Sequence, residues 1–213
     1  MNKGFSANAT LHMFTIPARI VRQSPDPDGH TKWLVHGLTK DKILNGPGCP
    51  QPAPKFPGNV IVKSTPTMWK GVSATRDIPR DGVIFSERPL LDISRGMAPK
   101  SMMDPKNEYS LADYMKMMML ELEKQLEALV ERMEPERRAK LMALTNCHSR
   151  DGNGILNGII QTNGYGIYNL VDKDNKPEDD SSNPFFYCAV CDVGSRINHR
   201  YALLFFSCSS SDY

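Results

Sequence analysis

Between Leu111 and Met133 apolar residues recur every three or four positions: Leu111, Tyr114, Met115, Met118, Met119, Leu122, Leu126, Leu129, Val130 and Met133. That spacing lays a single apolar stripe along a helix. Ser110 with Asp113 has the layout of a capping box, with Asp in the place usual for Glu or Gln. Pro135 suits the first turn of a second, shorter helix running to about Leu144, with Leu141, Met142 and Leu144 available for burial. The methionines of the stripe are expected in the core rather than on a binding surface.

Strand-like patterns flank this helical pair. VIVKS, from Val60, is apolar and β-branched, and GVIFSERPLL reads as a second strand entered through the turn Arg80, Asp81, Gly82, with Gly71 breaking the chain between the two. After the helices, DGNGILNGIIQTNGYGIYNL is rich in glycine and asparagine, and its short apolar runs GII and GIY predict brief strands between turns. An acidic loop, DKDNKPEDDSSN, leads into FFYCAVCDVGSRINH, where Val193, Ser195 and Ile197 alternate as at the end of a strand. Strands, then helices, then short strands predict an α+β domain rather than alternating βαβ units.

Residues 1–58 carry no sustained period apart from WLVHGL, which can form one short strand. The stretch PGCPQPAPKFP is too proline-dense for helix or central strand and separates this irregular arm from the domain that begins at Asn59. The 213 residues suffice for one sizeable domain with appendages. With 26 Lys plus Arg against 24 Asp plus Glu, the formal charge of +2 gives no electrostatic footprint for nucleic acid. No window approaches the roughly 18 consecutive apolar residues of a membrane span, and the first residues lack the apolar core of a signal peptide. An intracellular location, nucleus or cytoplasm, is the expectation.

Five cysteines at irregular spacing argue against a disulfide framework. Cys188 and Cys191 form a CxxC, but His199 and Cys208 stand at spacings that match no standard zinc pattern, so burial of both cysteines on an apolar segment is the better reading and no metal is expected. Cys147 and His148 are sequence neighbours, which seldom face each other, and no third orienting group is evident. Gly71, in MWKGVSATRDI, either makes a turn or lets exposed backbone groups come close to a small charged ligand.

The second of these gains weight from the segments around it. WKGVSATRDIPRDGVIFSERPLL resembles the opening of a SET domain, a GxG followed by an apolar residue, Ala, a turn and a strand ending in ERPLL or similar. SRINH resembles that family's later Ser, apolar, Asn, His signature. The helical insert, about residues 108–146, and TNGYGI look like the inserted helices and the Asn-containing strand of the SET and MYND subfamily, in the fungal form without the MYND zinc module. The resemblance spans about Val60 to His199, and four segments in order are more specific than any one. Trp69 departs from it, standing where the pattern has its first glycine.

The resemblance implies a SET-type fold of short strands and small sheets, S-adenosylmethionine as cofactor, and methylation of a lysine on a protein substrate, a histone among the candidates. By position, Lys70, Gly71 and Val72 fall in the loop that wraps the methionine part of the cofactor, Asn163 matches the Asn of the middle strand, and Ser195, Asn198 and His199 match the late signature. An amide suits position 198 because it can both accept from an ammonium and donate to a carboxylate. Such transfer needs chiefly alignment and desolvation.

After His199 the pattern is lost. The family continues with Ser, Cys, a variable residue, Pro, Asn, further strands and a tyrosine lining the methyl-transfer channel, whereas here RYALLFFSCSSSDY follows. Neither Tyr201 nor Tyr213 matches that tyrosine, so no catalytic residue is assigned. Arg200, Tyr201 and Ala202 can be encoded AGG TAT GCN, in which AG precedes GTATG, a splice-donor sequence. The expectation is that residues 200–213 are translated intron, that residues 59–199 are a partial SET domain, and that catalysis is impaired. The alternatives are a non-catalytic module that binds cofactor or protein, and an unstable fragment without activity. Sequencing the transcript across the codon for His199 checks this: spliced reads should join an exon encoding Ser-Cys-x-Pro-Asn in frame, and the idea falls if no such exon lies downstream.

Overall fold

The computed structural model describes residues 11–18, 26–46, 58–64, 70–94, 109–152, 154–167 and 187–197. In chain order these form β1 (Leu11–Ile16), β2 (Thr31–His36), α1 (Gly37–Asn45), β3 (Val60–Ser64), β4 (Lys70–Ala74), β5 (Leu91–Ser94), α2 (Leu111–Val130), α3 (Pro135–Met142), α4 (Ile155–Asn163), β6 (Tyr165–Ile167), β7 (Tyr187–Val190) and a short 3-10 turn, Gly194–Arg196. The mixture is α+β, as expected. Five strands make one sheet in the order β1-β2-β5-β7-β6, and β3 with β4 makes a separate antiparallel pair. Within the larger sheet only β2 and β5 run parallel.

The core lies on one face of this sheet. Leu34, Leu91, Ile93, Cys188 and Val190 point to it, and against them pack Leu122, Leu126, Leu129 and Val130 of α2, Leu141, Leu144, and Leu156, Ile159 and Ile160 of α4. Full burial of each such side chain contributes about 1.5–3 kcal/mol. The opposite face carries Trp33, Asp92, Ser94 and Tyr187, with Thr39 of α1 hydrogen-bonded to the Tyr187 hydroxyl. Phe14 stacks on Trp33 with ring centroids 6.0 Å apart. No helix among the described residues is long and apolar enough to cross a membrane.

The α2 helix starts where the capping box places it, with the Asp113 amide donating to Ser110 Oγ at 3.1 Å, and Pro135 opens α3. Burial is uneven along the stripe. Leu122, Leu126 and Leu129 are buried, whereas Leu111 and Met115 are exposed and Met118 and Met119 only half-buried. The expectation of a methionine core therefore holds only for Met133, because the first two turns of α2 extend past the edge of the material packed on the sheet.

Four local expectations are corrected. The arm read as irregular apart from one short strand at WLVHGL contributes β1, β2 and α1; WLVH does lie in β2, which is an interior strand of the sheet. Its anchor is electrostatic: Arg88 Nη1 donates to Asp26 Oδ1 at 2.8 Å and to Gly29 O at 2.7 Å, fixing the entry to β2. Gly71 does not break the chain but lies buried inside β4, opposite Lys63. GVIFSERPLL joins the sheet only at its end: Pro89 has no N–H to donate, and the ladder begins with Leu90 N–H to Val190 O at 2.8 Å.

The fourth correction is GII, which is helical rather than a strand. Leu156, Ile159, Ile160 and Asn163 are buried at the i, i+3, i+4, i+7 positions of α4. Gly154 offers no side-chain cap, so Glu123 reaches across from α2 and accepts from the amides of Leu156 (2.9 Å) and Asn157 (2.8 Å). Gly154, at φ 95°, makes room for it, since a Cβ there would stand 2.2 Å from Glu123 Cδ.

Several buried polar groups, among them those of Trp33, Asp92 and Ser94 on one sheet face, have no hydrogen-bond partner among the described residues, and Asp92 works most against the fold. Asp92 sits on the central strand β5, 1% exposed, and neither carboxylate oxygen has a hydrogen-bond partner among the described residues. Burial pushes its pKa well above the ordinary aspartate range. The folded chain thus retains a proton that the unfolded chain releases, so the Asp92 contribution to stability is most favourable below about pH 4 and declines as pH rises toward the folded-state value. The neutral isostere Asp92→Asn should flatten this decline and be at least as stable as the parent at pH 7. Urea titrations at a series of pH values check it, and identical slopes for parent and variant would refute it.

Candidate functional site

Among the described residues the β3–β4 pair has an edge that no other strand covers. The Thr75 amide donates to Asn59 O at 2.9 Å, which makes residues 59 and 75 a directly bonded pair; with the register Lys63 to Gly71, the peptide groups of Gly71 and Ser73 point into the ladder. Those of Lys70, Val72 and Ala74 consequently point away from β3, and β4 pairs with no other strand among the described residues. The Lys70 side chain is exposed and Val72 half-buried.

The turn Gly194–Arg196 lies beside β4, with Cα atoms within 8 Å. Its conformation corrects the alternating pattern expected for Val193, Ser195 and Ile197. In a strand successive N–H groups point to opposite sides, but here those of Asp192, Val193 and Gly194 all converge on the Glu87 carboxylate. Oε2 accepts from Asp192 (3.2 Å) and Val193 (3.0 Å), and Oε1 from Gly194. Hydrogen bonds to a charged acceptor contribute about 1.5–3 kcal/mol each, which outweighs the slight preference of the sequence for extended chain. Glycine eases the close approach: a Cβ at position 194 would stand 3.1 Å from Glu87 Oε1, so the carboxylate would have to shift by a few tenths of an ångström.

Other groups pin the same turn. The Tyr165 hydroxyl donates to Gly194 O at 2.6 Å; desolvation, with Cys191 and Glu87 adding to it, raises its pKa and so keeps it a donor. Ser195 Oγ donates to Asn163 O at 2.9 Å and accepts from the Cys191 amide at 3.0 Å. Asp192 takes Arg196 Nη2 at 3.3 Å and lies 3.8 Å from Lys140 Nζ.

The site residues expected from sequence are therefore brought together in part. Lys70, Gly71 and Val72 on β4, Asn163 at the end of α4, and Ser195 in the turn meet at one end of the domain. Asn163 is not on a strand: it closes α4, and its buried Nδ2 donates to Thr145 O and Ile159 O, both at 2.7 Å. Asn198, His199 and Trp69 lie outside the described residues.

No family model, curated protein or solved structure matches the chain. The chemistry of the site therefore rests on its own groups. Outward peptide N–H groups of β4 and the Lys70 ammonium suit a carboxylate, and the outward carbonyls suit an ammonium. The amide of Asn163 and the hydroxyl of Ser195 are spent on protein partners and hold the site in shape.

Among the described residues no group of three or more His, Cys, Asp or Glu is arranged for a metal ion. Cys188 is buried, Cys191 half-buried and Cys147 exposed, and His148 Nδ1 is paired with Asp151 Oδ2 at 2.7 Å.

Glu87, Tyr165 and Gly194 were not among the residues expected to form the site. The signal for Glu87 was present, a lone carboxylate within FSERPLL, but only the fold shows which amides it meets. Because both Asn163 amide protons face carbonyl oxygens, Asn163→Asp should destabilise the chain more than Asn163→Ala, itself about 1–3 kcal/mol. Urea unfolding measures the order, and equal losses would mean that Nδ2 is not holding the end of α4.

Proposed function

We propose that this chain is a SET-type protein lysine methyltransferase scaffold that binds S-adenosylmethionine where β4, the end of α4 and the Gly194–Arg196 turn meet. One observation carries the reading. The Gly194–Arg196 turn lies beside β4 and is bonded to Asn163, so it joins segments singled out for their likeness to separate SET motifs, two of them over 90 positions away from the first. Nothing in their local sequences requires that.

The chemistry such a cofactor supplies is an electrophilic methyl group on a sulfonium. The chain's part is to hold and orient it: Lys70 and the outward peptide groups of Val72 face the charged amino-acid end, while Ser195 and Asn163 fix the turn that leads directly into Asn198 and His199. By its position in the sequence motif, Asn198 supplies an amide that would accept from the ammonium and donate to the carboxylate. The protein substrate would be a lysine-bearing chain, with a histone as the first to try.

A second reading, a non-catalytic protein-binding module, draws on the exposed apolar start of α2, where Leu111 is 77% and Met115 45% exposed. Calorimetric titration with S-adenosylmethionine separates the two. Saturable binding that Asn198→Ala weakens about tenfold, or ~1.4 kcal/mol, is the expected result. Absence of binding by the parent chain would overturn the cofactor reading and leave the second.

A further inference from the structure

Glu87 is separated from the turn it holds by more than a hundred positions, and its side chain is committed entirely to that turn. Three consecutive amides converging on one carboxylate form a concave donor array of the kind that binds free anions. Here the chain itself provides the anion. The neighbouring residue is also tied down: Arg88 is fastened to Asp26 and Gly29, which limits movement of residue 87. Leu90, three residues on, is already in the sheet through Val190. The position of the carboxylate is thus set by the sheet, and the position of the turn is set by the carboxylate.

We propose that Glu87 is a positioning residue for the S-adenosylmethionine site: it fixes the Asp192–Gly194 amides and thereby the place of the Gly194–Arg196 turn beside β4. The inference rests on the cofactor reading above. Glu87 does not touch the ligand. Its partners Tyr165 and Ser195 each hold one further atom of the same turn, the Gly194 carbonyl and the Cys191 amide, but neither can replace it, because both lack an acceptor directed at residues 192–194.

Calorimetric titration of S-adenosylmethionine into the parent, Glu87→Ala and Glu87→Gln tests this, with formate or chloride added at equal ionic strength. Glu87→Ala should lose about tenfold in affinity, consistent with charge-assisted hydrogen bonds to three amides. Formate, the smallest carboxylate, should occupy the vacated array and restore most of the loss, while chloride should not. Glu87→Gln keeps the shape and one acceptor oxygen for two amides, so its loss should be smaller, about three- to fivefold. Binding by Glu87→Ala within twofold of the parent would overturn the proposal, as would equal losses in both variants without rescue by formate. Failure of the parent chain to bind would instead sink the cofactor reading, and with it the inference.

Discussion

The Glu87 carboxylate and the three amide groups of Asp192, Val193 and Gly194 are the contact on which the functional end of this domain depends. A glycine-containing stretch with no local capping side chain leaves its N–H groups to be satisfied from elsewhere, because unpaired buried donors cost about 1–3 kcal/mol each. The same device occurs at the start of α4, where Glu123 of α2 accepts from Leu156 and Asn157. In both places a glycine clears the space for a carboxylate that belongs to another element. Local chain direction is therefore dictated by tertiary contacts rather than by the propensities of the residues concerned.

Stability and geometry come from different sources. The sheet face bearing Leu34, Leu91, Ile93 and Val190, with α2 and α4 against it, supplies the burial that holds the domain together. The opposite face contains Asp92 with no hydrogen-bond partner among the described residues, a penalty comparable to the gain from one buried leucine. The polar contacts around the turn add less to stability but determine where Asn163, Ser195 and the edge of β4 stand relative to one another. A site of this kind is sensitive to the loss of one acceptor even where the core is intact.

Much of the helical part was legible because its periodicity is local: the capping box at Ser110, the stripe through Leu129 and the proline opening α3 all stand where the spacing puts them. The strand VIVKS and the strand ending at Val190 were legible as apolar β-branched or aromatic runs. What escaped were elements whose cause is remote. The GII run reads as a strand until Glu123 is known to cap it, and the alternation through Ser195 reads as a strand until Glu87 is known to gather three successive amides. WLVHGL was legible as one short strand and lies in β2, but its partner β1 and its place inside the sheet were not, because the periods are short and the anchor, Arg88, lies some 60 positions on. At the candidate site Lys70, Gly71 and Val72 could be named from the motif, whereas the commitment of Asn163 and Ser195 to protein partners is a property of the packing alone.

Amide hydrogen exchange at Asp192, Val193 and Gly194, compared between the parent chain and Glu87→Ala, most directly tests whether one carboxylate governs this end of the domain. The three amides should be protected in the parent and exchange at least about tenfold faster in the variant, while the amides of Leu91 and Ile93 in the central sheet stay unchanged. Unaltered protection at all three in the variant would contradict the central role given to Glu87.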